Sequence, residues 1–119
     1  MSAVIGLIVP GLPHPLLAPE QNKSWGEIRA AYDSARQKLI DAGVQRIIIY
    51  STQWFSILGH QIQAHPNPEW IHVDQEFHEL GDLPYSFSVD VDFAQRYVKK
   101  ARSRGLHART VAYHGFPID

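Results

Sequence analysis

Two continuous apolar runs of strand length stand out in the chain. The first covers residues 3–9 (Ala-Val-Ile-Gly-Leu-Ile-Val), and the second covers 47–50 (Ile-Ile-Ile-Tyr). Continuous rather than alternating apolar positions are typical of strands buried on both faces of a sheet. The β-branched isoleucines of the second run favour a strand over a helix. Both runs are therefore predicted to be inner strands covered by helices.

Between these runs the apolar residues follow the period of a helix. They fall on one helical stripe: Trp25, Ile28, Tyr32, Ala35 and Leu39. Ser24 and Glu27 are spaced as a capping box at its start, and Gly43 is placed to end it. Strand, helix and strand in this order predict a βαβ unit with a right-handed crossover and parallel strands.

The second half of the chain carries shorter patterns. Residues 55–63 are predicted to be an extended segment or a strand that ends before a proline-containing loop at 64–68. Three further strands are predicted at 70–73, 85–89 and 106–113. A second helix is predicted from one more stripe, with Asp90 or Asp92 as its cap and Gly105 at its end: Ala94, Tyr97, Val98 and Ala101. The fold class is α/β, with a mostly parallel or mixed sheet flanked by helices.

Length and charge narrow the possible partners. The 119 residues predict a single domain over 1–119, and 11 Lys+Arg against 12 Asp+Glu give a net charge of -1. A modest basic group is predicted to solvate a helix face: Lys99, Lys100, Arg102 and Arg104. Nucleic acid is therefore not expected as a partner.

Two absences in the sequence limit its location and its chemistry. No apolar run reaches the roughly 20 residues that span a bilayer, and the start lacks the pattern of a signal peptide, so we expect a cytoplasmic protein without membrane contact. The chain has no cysteine, so a metal would have to be held by nitrogen and oxygen. Seven histidines supply candidate nitrogen ligands.

Candidate site residues follow the predicted inner strands. His14 lies in the proline-stiffened segment after the first run, and Gln53 lies just past the second run. The carboxyl ends of parallel strands form the crevice in which open α/β sheets bind ligands. The pattern therefore brings His14 and Gln53 to one edge of the sheet.

Four motifs in order resemble a known family. They lie at 9–15 (Val-Pro-Gly-Leu-Pro-His-Pro), 47–54 (Ile-Ile-Ile-Tyr-Ser-Thr-Gln-Trp), 72–74 (His-Val-Asp) and 115–119 (Gly-Phe-Pro-Ile-Asp). Together they resemble the N-terminal half of class III extradiol ring-cleavage dioxygenases, which include protocatechuate and aminophenol ring-opening enzymes. The resemblance implies that the chain is about half of such a domain, truncated at residue 119.

The resemblance also implies a ligand set for ferrous iron. Family members hold the ion with two histidines and one carboxylate, which leaves positions open for substrate and oxygen. His14 stands at the first ligand position. The second belongs to a Ser-Xaa-His-Trp pattern, where this chain has Gln53, and the glutamate ligand belongs to the later half. We expect that the chain alone does not bind catalytic iron.

Each of these residues also has an ordinary structural interpretation. His14 could only pack in its turn, and Gln53 could be a buried amide bonded to backbone. His60 is a possible substitute ligand or an ordinary histidine near a turn. His114, beside Gly115 near a predicted strand end, is the candidate catalytic acid or base.

Three functional hypotheses remain open from the sequence. The first is a non-catalytic or incomplete dioxygenase subunit that forms a homo-oligomer or pairs with a catalytic homologue. The second is part of an active iron enzyme that cleaves catechol or aminophenol rings, with ligands completed by a missing segment or another chain. The third is a non-redox protein that binds an aromatic small molecule on the same scaffold.

Overall fold

The computed structural model describes residues 4–51, 54 and 56–115. Its helices and strands are, in chain order, α1 (His14–Leu17), α2 (Lys23–Asp41), β1 (His60–Gln63), β2 (Glu69–His72), β3 (Leu83–Ser86), α3 (Val91–Ser103) and β4 (Ala108–Val111). The described residues form two compact units. The first unit takes in 4–50 and 74–81, and the second takes in 51–73 and 82–115.

Helix α2 forms as its apolar stripe predicts, but its N-cap lies two residues before the predicted cap, Ser24. The Asn22 side chain accepts a hydrogen bond from the Trp25 amide at 3.0 Å, so Asn22 is the N-cap and Ser24 lies in the first turn. The prediction of Ser24 as the cap is wrong, because the Asn22 side chain two positions earlier supplies the acceptor and the helix is already formed at Ser24. Gly43 ends the helix with φ 65°, and its amide donates to the Ile40 carbonyl at 2.9 Å.

The stripe of α2 is only half-buried, and one of its residues connects the helix to the first apolar run. All five predicted stripe residues are partly exposed, and none is fully buried. The Tyr32 hydroxyl donates to the Pro10 carbonyl at 2.9 Å. Burial raises the pKa of Tyr32 above its ordinary value of 10.0, because the phenolate would lose water contacts.

Replacing Tyr32 by phenylalanine is expected to lower the free energy of unfolding by about 0.5–1.5 kcal/mol, because the Pro10 carbonyl loses its donor. The raised pKa means that the folded state keeps the phenolic proton to higher pH than the unfolded state. The contribution of Tyr32 is therefore complete below pH 10.0 and declines as the pH rises through the folded-state pKa. Urea unfolding of both proteins from neutral to alkaline pH measures this, and a constant difference between them would contradict it.

The two apolar runs do not form the predicted strands. The described residues of both runs have no sheet partner, so the βαβ unit is reduced to its helix. The side chain of Ile8 is fully exposed at 103% and that of Ile49 is 68% exposed. A strand of this composition needs a paired strand on each edge and a covering layer on each face. Residues 4–50 and 74–81 supply neither the paired strands nor the covering layers.

The second unit is built on a parallel pair of strands covered by a helix. Strand β1 pairs with β4 in the register His60↔Ala108 to Gln63↔Val111. Helix α3 connects to β4 and packs on both strands. Its predicted stripe is confirmed at Ala94, Val98 and Ala101, which are buried. Together with a flanking helix, this parallel pair confirms the α/β fold class.

The ends of α3 also follow the sequence. Asp90 is the N-cap, because its side chain accepts from the Phe93 amide at 2.8 Å. Gly105 has φ 81°, and its amide donates to the Arg102 carbonyl at 3.0 Å. The next amide, that of Leu106, donates to the Ala101 carbonyl at 3.1 Å. These two bonds form a Schellman motif, which turns the chain sharply from α3 towards β4.

Strands β2 and β3 form a separate antiparallel hairpin within the second unit. Their register runs from Glu69↔Ser86 to His72↔Leu83. The strand predicted at 85–89 begins earlier and ends at Ser86. The amides of Phe87 and Val89 still donate to the carbonyls of Pro68 and Pro66, but these prolines have no amide to donate back. Among the described residues no helix is long and apolar enough to cross a membrane.

Candidate functional site

His14 lies in an aromatic cradle of the first unit. It is the first residue of α1, directly after Pro13. Its ring stacks on Trp25 of α2 with centroids 5.0 Å apart and planes at 22°. The edge of Phe77 approaches from another side at a centroid distance of 4.5 Å and an angle of 73°. Offset stacks and edge contacts of this kind are the preferred arrangements of aromatic rings.

A tight turn holds Phe77 in this cradle. One Asp74 carboxylate oxygen accepts hydrogen bonds from the amides of Glu76 and Phe77, both at 2.8 Å. Aspartate side chains commonly stabilise turns in this way. The Asp74 carboxylate therefore positions the ring that contacts His14.

Among the described residues, no ligand set for ferrous iron forms around His14. His14 Nδ1 is buried, and no acceptor or donor in the described part of the chain reaches it. A histidine that binds a metal usually donates its other ring N–H to a carboxylate or carbonyl. No group of three His, Asp or Glu side chains that could hold a metal occurs among residues 4–51, 54 and 56–115. Gln53 lies outside the described residues.

A second histidine cluster lies in the second unit, past the carboxyl ends of β1 and β4. The rings of His65 and His114 are in contact, with centroids 4.1 Å apart and planes at 56°. The Asn67 amide donates to His65 Nδ1 at 3.1 Å. That nitrogen is an acceptor, so neutral His65 carries its proton on Nε2.

The Gln63 side chain joins the two segments that carry this pair. Its Oε1 accepts from the amides of Ala64 (3.1 Å), His65 (3.0 Å) and Tyr113 (3.2 Å). Its Nε2 donates to the Tyr113 carbonyl at 2.7 Å. One amide side chain at the end of β1 therefore ties the chain before His65 to the chain before His114.

The β2–β3 hairpin supports the same pair from the His114 side. The buried Tyr85 donates its hydroxyl proton to the His114 carbonyl at 2.6 Å. A Cβ atom at Gly115 would lie 3.2 Å from the Trp70 ring, so the backbone there passes close to the indole. The ring of His114 is thus positioned through its backbone, while its own side chain is exposed.

Replacing Gln63 by alanine is expected to lower the free energy of unfolding by about 1–2 kcal/mol, because the amides of His65 and Tyr113 and the Tyr113 carbonyl lose the Gln63 side chain as their partner. The Ala64 amide keeps its second acceptor, the Val111 carbonyl at 2.7 Å. Gln61 lies on the same strand, and in the described structure its side chain makes no hydrogen bond, so Gln61→Ala is the matched control. Urea unfolding measures the stability, and the histidine ring resonances in NMR report on the His65–His114 contact. Equal stability losses in the two variants would contradict the role given to Gln63.

The other predicted site residues fall at different places. His60 is the first residue of β1, so the length of that strand separates it from the His65–His114 pair. His114 lies three residues after β4, at the strand end where the sequence places it. Sequence reasoning missed His65, which lies two residues after β1. The sequence carries part of the signal, because His65 and His114 each follow a predicted strand, at 55–63 and 106–113, but the parallel pairing that brings them together is seen only in the structure.

Comparison with known proteins agrees with the motif resemblance. No family model matches the chain. The whole chain is 39% identical over 119 residues to the 2-aminophenol 1,6-dioxygenase alpha subunit of Pseudomonas sp, of which it covers 44%. It is 26% identical over 123 residues to the 2-aminophenol 1,6-dioxygenase beta subunit of Pseudomonas sp, of which it covers 40%.

These similarities show that the chain is homologous to dioxygenase subunits. Within that class it resembles the aminophenol type, and its identity is higher to the alpha subunit than to the beta subunit. The chain spans less than half the length of these relatives. The predicted resemblance to aminophenol-type dioxygenase subunits is therefore confirmed.

Proposed function

We propose that this chain is a partner subunit without catalytic iron in an aminophenol-type ring-cleaving dioxygenase. The observation that carries the proposal is Gln53, at the position where the resemblance places the second histidine ligand. Ferrous iron bound in such an enzyme would supply open positions at which an aromatic substrate can chelate and oxygen can bind. A carboxamide oxygen is a neutral and weak donor compared with imidazole nitrogen, and even the loss of an outer-shell partner of a ligand typically costs 10–100-fold in affinity or activity.

The environment of His14 supports the same proposal. Its ring stacks on Trp25 and meets the edge of Phe77, and these contacts suit a packing role. We infer that this chain keeps the histidine for packing. The remaining chemistry of the reaction then belongs to a catalytic homologous subunit.

Exposed apolar residues in the first unit support association with such a subunit. The side chains of Val4 and Ile8 are 95% and 103% exposed, and Ile47 and Ile49 are 67% and 68% exposed. Continuous apolar runs at the surface mark association sites in natural proteins. The relatives are named as alpha and beta subunits, so we favour a cytoplasmic heteromer over a homo-oligomer.

A second candidate is a working dioxygenase whose ligands are completed by another chain or segment. No described residue forms a hydrogen bond with the buried His14 Nδ1, and this favours the second candidate, because such a nitrogen is suited to bind a further group. In that case His114 would be the acid or base beside the substrate. A third candidate, a non-redox binder of aromatic compounds, rests on the same scaffold.

Reconstitution separates these candidates. The chain is incubated anaerobically with ferrous iron, and ring cleavage of 2-aminophenol and catechol is then followed by absorbance after oxygen is admitted. We expect no rate above that of iron in buffer for the chain alone. We expect the chain to co-elute with the homologous beta subunit on size exclusion and to change its turnover. Turnover by the chain alone would support the second candidate, and aromatic binding without co-elution or turnover would support the third.

A further inference from the structure

A cleft of about 470 Å³ lies at the amino ends of β1 and β4, where the chain enters β4 from α3. Its lining includes Leu58, Leu106, Arg102, His107 and Arg109. This volume falls within the range of sites that hold small organic molecules. The cleft is separated from the His65–His114 pair by the length of the strands, so it is a different place on the second unit.

Arg102 is fixed within this cleft by a single hydrogen bond. Its Nε donates to the Ala108 carbonyl at 2.6 Å. The guanidinium group is planar, so one bond at Nε restricts the orientation of the whole fork. Among the described residues no group accepts a hydrogen bond from the two terminal nitrogens of Arg102. These N–H groups are therefore available to donate to a carboxylate. Arg102 also lines a neighbouring cavity of about 260 Å³.

The charge around the cleft is positive and uncompensated. The cleft itself contains Arg109 and His107, and Lys99 lines the neighbouring cavity. No carboxylate in the described part of the chain lies within 4.0 Å of Arg102, Arg109 or Lys99. With a net charge of only -1 on the whole chain, this positive potential is local and does not extend over the molecule.

The rest of the lining is apolar and open to solvent. Leu58 is 68% exposed and Leu106 is 50% exposed. A purely inorganic anion would leave both leucines in water, whereas an organic acid would cover them. Cleft size, a fixed guanidinium and apolar walls together favour a ligand with a carboxylate at one end and a small apolar body at the other.

We propose that this cleft binds a small aromatic or branched monocarboxylate. Its carboxylate accepts from the terminal nitrogens of Arg102, with Arg109 adding positive charge, and its apolar body packs on Leu58 and Leu106. The proposal does not depend on the role of the chain in ring cleavage. The sequence predicts that Arg102 belongs to a basic group that only solvates a helix face. The present proposal instead gives Arg102 a ligand.

Two-dimensional NMR of the full chain tests this site with benzoate as the probe. Benzyl alcohol has the same ring without the charge, acetate has the charge without the ring, and inorganic phosphate is a second anion. We expect saturable shifts for benzoate at the amides of Leu106, His107 and Arg109 and at Arg102 Nε, with a Kd of about 1 mM that rises with salt. The three other probes should bind at least about tenfold more weakly.

Two substitutions show whether the arginines carry the binding. Arg102→Gln should weaken benzoate binding at least about tenfold, and Arg109→Gln should weaken it about threefold while leaving the Arg102–Ala108 bond intact. Lys23→Gln, in the first unit, is the control with the same change of charge and should have no effect. Shifts that fail to saturate, equal shifts with benzyl alcohol, equal or tighter binding of phosphate, or unchanged binding in both arginine variants would each overturn the proposal.

Discussion

Replacing Gly59 by alanine should destabilise the chain by about 2–5 kcal/mol, the largest loss expected from any single substitution considered. Gly59 has φ 82°, a left-handed conformation that costs a residue with a Cβ roughly 1–2 kcal/mol. The added Cβ would also lie 2.7 Å from the Cβ of His107 and closer still to the His107 carbonyl oxygen. That oxygen accepts the His60 amide at 2.8 Å, the bond that leads into the parallel pair. The backbone there has to move, at a cost typical of overpacking.

Gly105→Ala is the matched control for Gly59→Ala. Gly105 has φ 81°, but nothing lies within 4 Å of a Cβ placed there. Only the conformational cost of about 1–2 kcal/mol should appear. Urea unfolding followed by tryptophan fluorescence measures both variants. Equal losses of stability would show that the close approach of Gly59 to His107 is relaxed in solution.

Replacing His14 by alanine should lower the free energy of unfolding by about 2–4 kcal/mol, because the aromatic contacts with Trp25 and Phe77 are lost together. Replacing it by phenylalanine should leave stability within about 1 kcal/mol or raise it. A phenyl ring keeps the contacts and removes the buried Nδ1, whose unmet hydrogen bond is itself unfavourable.

His78→Ala is the control for the His14 variants, because it removes a histidine from the same unit whose side chain is 73% exposed. It should change stability by less than about 0.5 kcal/mol. A destabilised His14→Phe protein would show that the imidazole nitrogens are needed in the folded state. That result would contradict a packing role for His14.

The helices of this chain were predictable from local pattern. The structure contains the predicted helical stripes, the cap at Asp90 and the helix-ending glycines at 43 and 105. These features were predictable because helix caps and left-handed glycines depend on residues close by in the sequence. The misplaced cap of α2 shows the limit of this reasoning, since Asn22 and Ser24 both carry suitable acceptors. Local pattern alone does not choose between two such caps.

Strands were harder to predict because their formation depends on distant partners. The apolar run 47–50 has the composition of an inner strand, yet in the described structure it has no sheet partner. Strand β1 was predicted as an extended segment or a strand over 55–63, and it forms at His60–Gln63 because β4 pairs with it. Propensity for strands reflects packing with neighbours more than a backbone preference.

The site was predictable in part. The positions of His14 beside a proline turn and of His114 near a strand end followed from the sequence. The contact between His65 and His114 did not, because it depends on the parallel pairing of β1 with β4 and on the four hydrogen bonds of Gln63. The predictions for His60 as a substitute ligand and for one domain over 1–119 stay predictions.

The central claim is that a weak oxygen donor at residue 53 leaves this chain without a catalytic iron. Iron analysis after anaerobic loading with ferrous iron and desalting tests it directly. We expect far less than one iron per chain, with the same amount retained by the His14→Phe variant. One tightly held iron per chain that is lost on replacing His14, together with cleavage of 2-aminophenol, would contradict the account.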